Sequence, residues 1–141
     1  MSDDVEKLLA CKVIAVVGAS TETQKPGHYV PAFMETEGYD IIPINPNAAE
    51  IFGKKCYPSL SSLAPGDKAR IQVINVFRRP EFIPYLTDEI IRLKPEMPQL
   101  KGVWLQEGIA HPDSHERMRA AGLVVVADKC MKKEVKKEDW F

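Results

Sequence analysis

Short apolar runs rich in β-branched residues recur along this chain, and each gives way to turn-forming or polar residues. Val13-Ile14-Ala15-Val16-Val17 ends at Gly18, and Asp40-Ile41-Ile42-Pro43-Ile44 ends at Asn45-Pro46. Ile71 to Phe77 ends at Arg78-Arg79-Pro80, Gly102-Val103-Trp104-Leu105 at Gln106-Glu107-Gly108, and Leu123-Val124-Val125-Val126 at Ala127-Asp128. Runs without clean apolar–polar alternation suit strands covered on both faces, as in a parallel sheet. Between them lie helical patterns. Val30, Phe33, Met34 and Glu37 keep helical spacing, with Pro31 expected in the first turn and Gly38 as the stop. Phe82, Ile83, Leu86, Ile90 and Leu93 form one stripe between Pro80 and Pro95. Asp113 and Glu116 read as a capping box before Met118 and Ala121, stopped by Gly122. Ser59 to Leu63 predicts a short helical turn, and Val5-Leu8-Leu9 an amphipathic helix against the sheet edge. Strands alternating with helices predict an α/β fold: a Rossmann-like, doubly wound domain with a mainly parallel five-stranded sheet and helices on both faces.

Length and composition bound the rest. The 141 residues suit one domain, expected to span 1–141 with residues 1–11 as an N-terminal helix and 132–141 as a charged tail. Hydrophobic residues at 45% and charged residues at 28% are ordinary for a globular protein. A formal net charge of −1 supplies no field for nucleic acid or a membrane surface, so an anion site must be local. No apolar run spans a bilayer, and Met1-Ser2-Asp3-Asp4 is acidic where a signal peptide is basic. Cys11, Cys56 and Cys130 are widely spaced and odd in number, which points to free thiols and a cytoplasmic protein. Lys132-Lys133 and Lys136-Lys137 read as a solvated face.

In an open α/β sheet a ligand lies beyond the carboxyl ends of the strands, near the point where strand order reverses. Those ends carry the small, polar and cationic residues of this chain. Gly18-Ala19-Ser20 is either a phosphate-binding loop or only a tight turn, since the full G-x-G-x-x-G pattern is missing. Ser20 and Thr21 add hydroxyls, Lys25 stands where the helix begins, and His28 lies just beyond. A nicotinamide dinucleotide site usually places Asp or Glu after the second strand, where this chain has Asn45-Pro46-Asn47. A neutral amide tolerates a phosphate on the adenosine ribose, as coenzyme A and NADP carry; a plain turn is the alternative. Lys25, Lys54, Arg78 or Arg79 would complete the anion site, with Arg78 favoured. Val76 and Phe77 offer an adenine wall or simply pack in the strand.

The runs V-I-A-V-V-G-A-S, I-I-P-I-N-P-N, V-I-N-V-F-R-R-P, G-V-W-L-Q-E-G-I and A-D-K-C-M-K, in this order, resemble the stand-alone CoA-binding protein family. That family is similar to the N-terminal CoA-binding domain of the succinyl-CoA synthetase alpha subunit. The match runs from about Val13 to Met131. It implies coenzyme A held by Gly18, Ala19, Ser20 and Lys25 at the phosphates, with Asn45, Pro46, Val76, Phe77 and Arg78 around the adenosine. Gln106, Glu107 and Gly108 join the set, Glu107 as a partner for a ligand hydroxyl or the pantetheine amide. The first loop lacks the synthetase's later glycines, and one domain leaves no place for its phosphohistidine chemistry, which argues against ligase activity.

Cys130, flanked by Lys129 and Lys132, reads either as a reactive thiol able to pair with that of CoA or as a small buried residue. His111 and His115 stand four apart, but Pro112 between them and the capping reading of Asp113 and Glu116 leave no metal site predicted. No nucleophile–base–orienter set is visible. The expected function is therefore non-catalytic binding of CoA or an acyl-CoA, as a small-molecule-binding or regulatory protein able to form a homodimer. The alternative is an NADP-linked oxidoreductase or a small acyl-CoA enzyme.

Overall fold

A computed structural model describes residues 3–139. Met1 and Ser2 of the acidic start and residues 140 and 141 of the tail lie outside them. The elements run α1 (Asp3–Leu9), β1 (Val13–Val17), α2 (Pro26–Thr36), β2 (Asp40–Ile44), β3 (Glu50–Ile51), β4 (Lys54–Lys55) and α3 (Pro65–Arg70). They continue through β5 (Val73–Val76), α4 (Ile83–Leu93), β6 (Gly102–Leu105), α5 (Pro112–Ala120), β7 (Val124–Val126) and α6 (Met131–Asp139). Five strands form a parallel sheet in the order β2-β1-β5-β6-β7. The fold is the Rossmann-like α/β arrangement expected. Strand order reverses between β1 and β5, where the chain crosses from one face of the sheet to the other.

Period-two alternation explains why each strand is apolar throughout. Ile14, Val16, Ile41, Val73, Trp104 and Val126 pack toward α1, α2 and α6. Ala15, Val17, Ile42, Ile74, Val103 and Leu105 pack on the opposite face, with Ile83, Ile90 and Met118 of α4 and α5. Helix α1 rests on β7, as its amphipathic spacing predicts. Pro43 sits in β2, an edge strand, where a missing N–H is tolerated.

Several local expectations change. Pro31 lies inside α2, which begins five residues earlier at Pro26. Having no N–H, Pro31 leaves the carbonyl of Gly27 without its helical donor, and the backbone N–H of Ser20 supplies one at 3.1 Å. The helix cap before Met118 is His111 rather than Asp113: its Nδ1 accepts from the Ser114 N–H at 3.3 Å, and the His111 N–H donates to His115 Nε2 at 3.0 Å. This reciprocal pair satisfies the orphan donors that the predicted capping box would have served. Ser59 to Leu63 forms turns closed by the Ser62 and Leu63 amides, with no helix. Phe82 ends a 3-10 turn and is 41% exposed, so the α4 stripe begins at Ile83. The short α3 and the β3–β4 hairpin have too few periodic residues to be read from sequence.

Candidate functional site

Register places the strand ends side by side. Val17 pairs with Ile44 and Val76, and Val76 pairs with Leu105, so Gly18, Asn45, Phe77 and Gln106 follow in one row. They open on a cleft of about 830 Å³ on the α2–α6 side of the sheet. Gly18, Ala19, Ser20, Lys25, Asn45, Phe77, Gln106, Glu107 and Cys130 all line it, so most of the sequence-predicted residues meet there.

The first loop is built more tightly than a phosphate cradle requires. Gly18 has φ +91°, and a Cβ there would stand 3.0 Å from the Phe77 carbonyl oxygen. A Cβ on Gly27 would stand 2.6 Å from the Gly18 oxygen, so glycine lets α2 start against the loop. The N–H groups of Gly18 and Ala19 donate to the Ile44 carbonyl, and that of Ser20 to Gly27. These amides, expected at a pyrophosphate, are occupied within the protein. Ser20 Oγ accepts from the Glu22 N–H at 3.0 Å and keeps its own hydroxyl proton to donate. Lys25 Nζ pairs with Glu22 at 2.6 Å, an exposed bridge that an incoming anion would displace at little cost. Asn45 is likewise structural: its Nδ2 donates to the Ala19 carbonyl at 2.7 Å, and its Oδ1 accepts from the Asn47 N–H at 2.7 Å.

Across the cleft stands α6, where a solvated tail was expected. Met131 and Val135 are buried against α2, and Lys132, Lys133 and Lys136 project onto the cleft. Lys132 lies 5.4 Å from the Tyr29 ring centroid and 5.2 Å from that of Phe33. Lys133 pairs with Glu107 at 3.0 Å, and that bond chiefly raises the Lys133 pKa. A single hydrophobic residue, Val135, one turn after Met131, was the only sequence sign that the lysines share a docked helix. Gln106 anchors the start of that helix by accepting the Met131 N–H at 3.0 Å on Oε1. Trp104, fully buried, donates from Nε1 to the Lys129 carbonyl at 2.8 Å and holds the preceding loop.

Pro46 and Arg78 face a second cleft, of about 440 Å³, on the α4 side. Arg78 lies 4.6 Å from the Phe82 ring centroid, and Tyr85 and Arg92 complete an aromatic and cationic wall that sequence reading did not single out. The two aromatics at the start of this helical segment, Phe82 just before α4 and Tyr85 in its first turn, were the available signal. Gly18 lines both clefts and forms the ridge between them.

Other expected residues stand elsewhere. Val76 is fully buried in the sheet face toward α4 and lines neither cleft, so strand packing accounts for it. Gly108, φ +84°, donates its N–H to Asp128 Oδ1 at 2.6 Å and knits two strand-end loops together. Lys54 is engaged by Glu35 at 2.7 Å and by the Ile41 carbonyl at 2.9 Å, away from the ligand row. His28 packs on Phe52, and Arg79 lines neither cleft. His111 and His115 serve the α5 cap; burial, then the neighbouring Arg119 and His111 charges, lower the His115 pKa.

Residues 12–136 match the model of a family described as a CoA binding domain. The chain is 34% identical over 127 residues to the uncharacterized protein YneT of Bacillus subtilis, covering 90% of this chain and 87% of that one. A Thermus thermophilus structure described as cell-free ID.343 is 35% identical, covers 97% of this chain and 98% of its own, and superposes with a TM-score of 0.81. A 59-residue stretch is 41% identical to an ADP-forming acetate–CoA ligase II of Archaeoglobus fulgidus, taking in 40% of this chain but 9% of that enzyme.

Proposed function

The chain belongs to the CoA-binding domain family, and on that premise we propose that it holds one molecule of CoA or acyl-CoA across the Gly18 ridge. The observation carrying this reading is the pair of clefts that meet at Gly18. An extended ligand with a nucleotide at one end and a flexible arm at the other fits such a saddle. The adenosine and its ribose phosphate take the smaller cleft, where Arg78 and Arg92 supply charge and Phe82 and Tyr85 supply ring faces. The pyrophosphate crosses the loop beside the Ser20 hydroxyl and Lys25, and the pantetheine arm enters the larger cleft toward Gln106. Lys132, Lys133 and Lys136 offset the remaining anionic charge. The protein acts as a holder of the coenzyme in a reducing compartment, consistent with its three free cysteines.

Calorimetric titration with CoA, dephospho-CoA, NAD and NADP tests the assignment. CoA is expected to bind more tightly than dephospho-CoA, and Arg78→Ala to erase that difference. A charge-assisted hydrogen bond is worth about 1.5–3 kcal/mol, or roughly 10- to 100-fold in Kd. Binding of NADP without CoA would overturn the reading in favour of hydride transfer, which NADPH oxidation with simple carbonyls would then detect.

A further inference from the structure

The three cysteines differ in what surrounds them. Cys11 Sγ donates to the Lys7 carbonyl at 3.5 Å and Cys56 Sγ to the Asn45 carbonyl at 3.7 Å. Burial pushes both of those thiols up. The Cys130 thiol makes no hydrogen bond among the described residues, and although the residue is only 8% exposed it opens on the larger cleft. It immediately precedes α6, whose Lys132 and Lys133 line the same cleft.

Gln106 supplies an independent pointer to a ligand. Its side chain is 3% exposed and lines the same cleft. Because Oε1 accepts the Met131 N–H, the orientation of the amide is determined, and its nitrogen has no partner among the described residues. That donor faces the cleft, where the carbonyl of a bound ligand would accept from it. The pantetheine arm carries one, followed by an N–H, two methylenes and the sulfur. Seating that carbonyl on Gln106, which is bonded to the neighbour of Cys130, delivers the sulfur to the Cys130 thiol.

We propose that Cys130 exchanges with CoA disulfide bound in this cleft and becomes covalently loaded with CoA. The inference rests on the CoA reading above and adds a reaction at the far end of the same site. Cys130 gives its proton to solvent, and its thiolate attacks one sulfur of the disulfide. An S–S bond forms between Cys130 Sγ and that sulfur, the original S–S bond breaks, and the departing CoA thiolate takes up a proton. Cys130 is oxidised and one CoA is reduced, so the disulfide is the only oxidant needed.

Intact-mass spectrometry of the full chain, incubated with CoA disulfide or with oxidised glutathione, tests it. One CoA adduct is expected, removed by dithiothreitol and mapping to Cys130 in peptide digests of the unmutated protein. It should form roughly tenfold or more faster than the glutathione adduct, because binding holds the disulfide at the thiol. Gln106→Leu should slow the CoA reaction toward the glutathione rate, Cys130→Ser should abolish it, and Cys11→Ser and Cys56→Ser should leave it intact. An adduct on Cys11 or Cys56, or equal rates for the two disulfides, would overturn the proposal. Calorimetry of CoA on the same preparation separates the two readings. CoA binding without an adduct defeats the exchange and leaves the holder standing, whereas no CoA binding defeats both.

Discussion

At the residue scale, Gly18 and His115 each carry a measurable consequence. Gly18 sits at φ +91° with its absent Cβ directed at the Phe77 carbonyl. A side chain forced into such a backbone costs about 1–3 kcal/mol. Gly18→Ala is therefore expected to lower the urea midpoint accordingly and to weaken CoA binding, since both clefts share this residue. His115 is held below its ordinary pKa of 6.5, and its Nε2 must be unprotonated to accept the His111 N–H. The unfolded chain binds that proton more readily than the folded one, so stability is complete above pH 6.5 and declines as pH falls below it. Denaturation midpoints measured from pH 7.5 downward should fall in that window, and His115→Gln should flatten the decline. Both roles were only partly legible. The glycine was visible as a turn, but the reason for it, the approach of α2 and of the β5 end, depends on contacts remote in sequence. Asp113 offered a standard capping pattern, and the histidines displaced it because Pro112 takes the first helical position and leaves His111 at the cap.

At the element scale, α6 decides whether the larger cleft has a second wall. Val135 is buried against the face that α2 also covers, while Lys132 and Lys136 on the same helix reach the cleft. Val135→Asp places a charge in that contact and is expected to undock the helix without unfolding the sheet. Hydrogen exchange should then show faster exchange confined to residues 131–139 and their α2 partners. CoA affinity should drop roughly tenfold or more, as a desolvated anion site loses its cations. Affinity unchanged with α6 undocked would remove these lysines from the site. Sequence reading treated this segment as solvated because seven of the nine residues Met131–Asp139 are charged, and one valine is a weak periodic signal. By contrast the strands were legible to within a residue or two, since β-branched runs covered on both faces have few alternative structures.

At the scale of the whole molecule, a nearly neutral chain presents cations where the strands end. Net charge is −1, yet Lys25, Lys132, Lys133, Lys136, Arg78 and Arg92 border the two clefts. CoA binding should accordingly weaken with added salt, by roughly threefold or more between 50 and 500 mM sodium chloride, as screening shortens to a few ångströms. Lys132→Gln with Lys136→Gln should shallow that dependence in the same titrations. A flat response in the unmodified protein would argue that the phosphates do not meet these groups. The sequence by itself determined the alternation of strands and helices, hence the doubly wound sheet and the edge where a ligand belongs. Those features follow from periodicity and chain connectivity, which are local or nearly so. Tertiary structure alone decided which donors remain open. It turned the Gly18–Ser20 amides and the Asn45 side chain inward, split Arg78 and Pro46 from the main cleft, and left the Gln106 nitrogen and the Cys130 thiol facing it. Hydrogen-bond satisfaction is settled between segments far apart in the chain, and no local pattern records it.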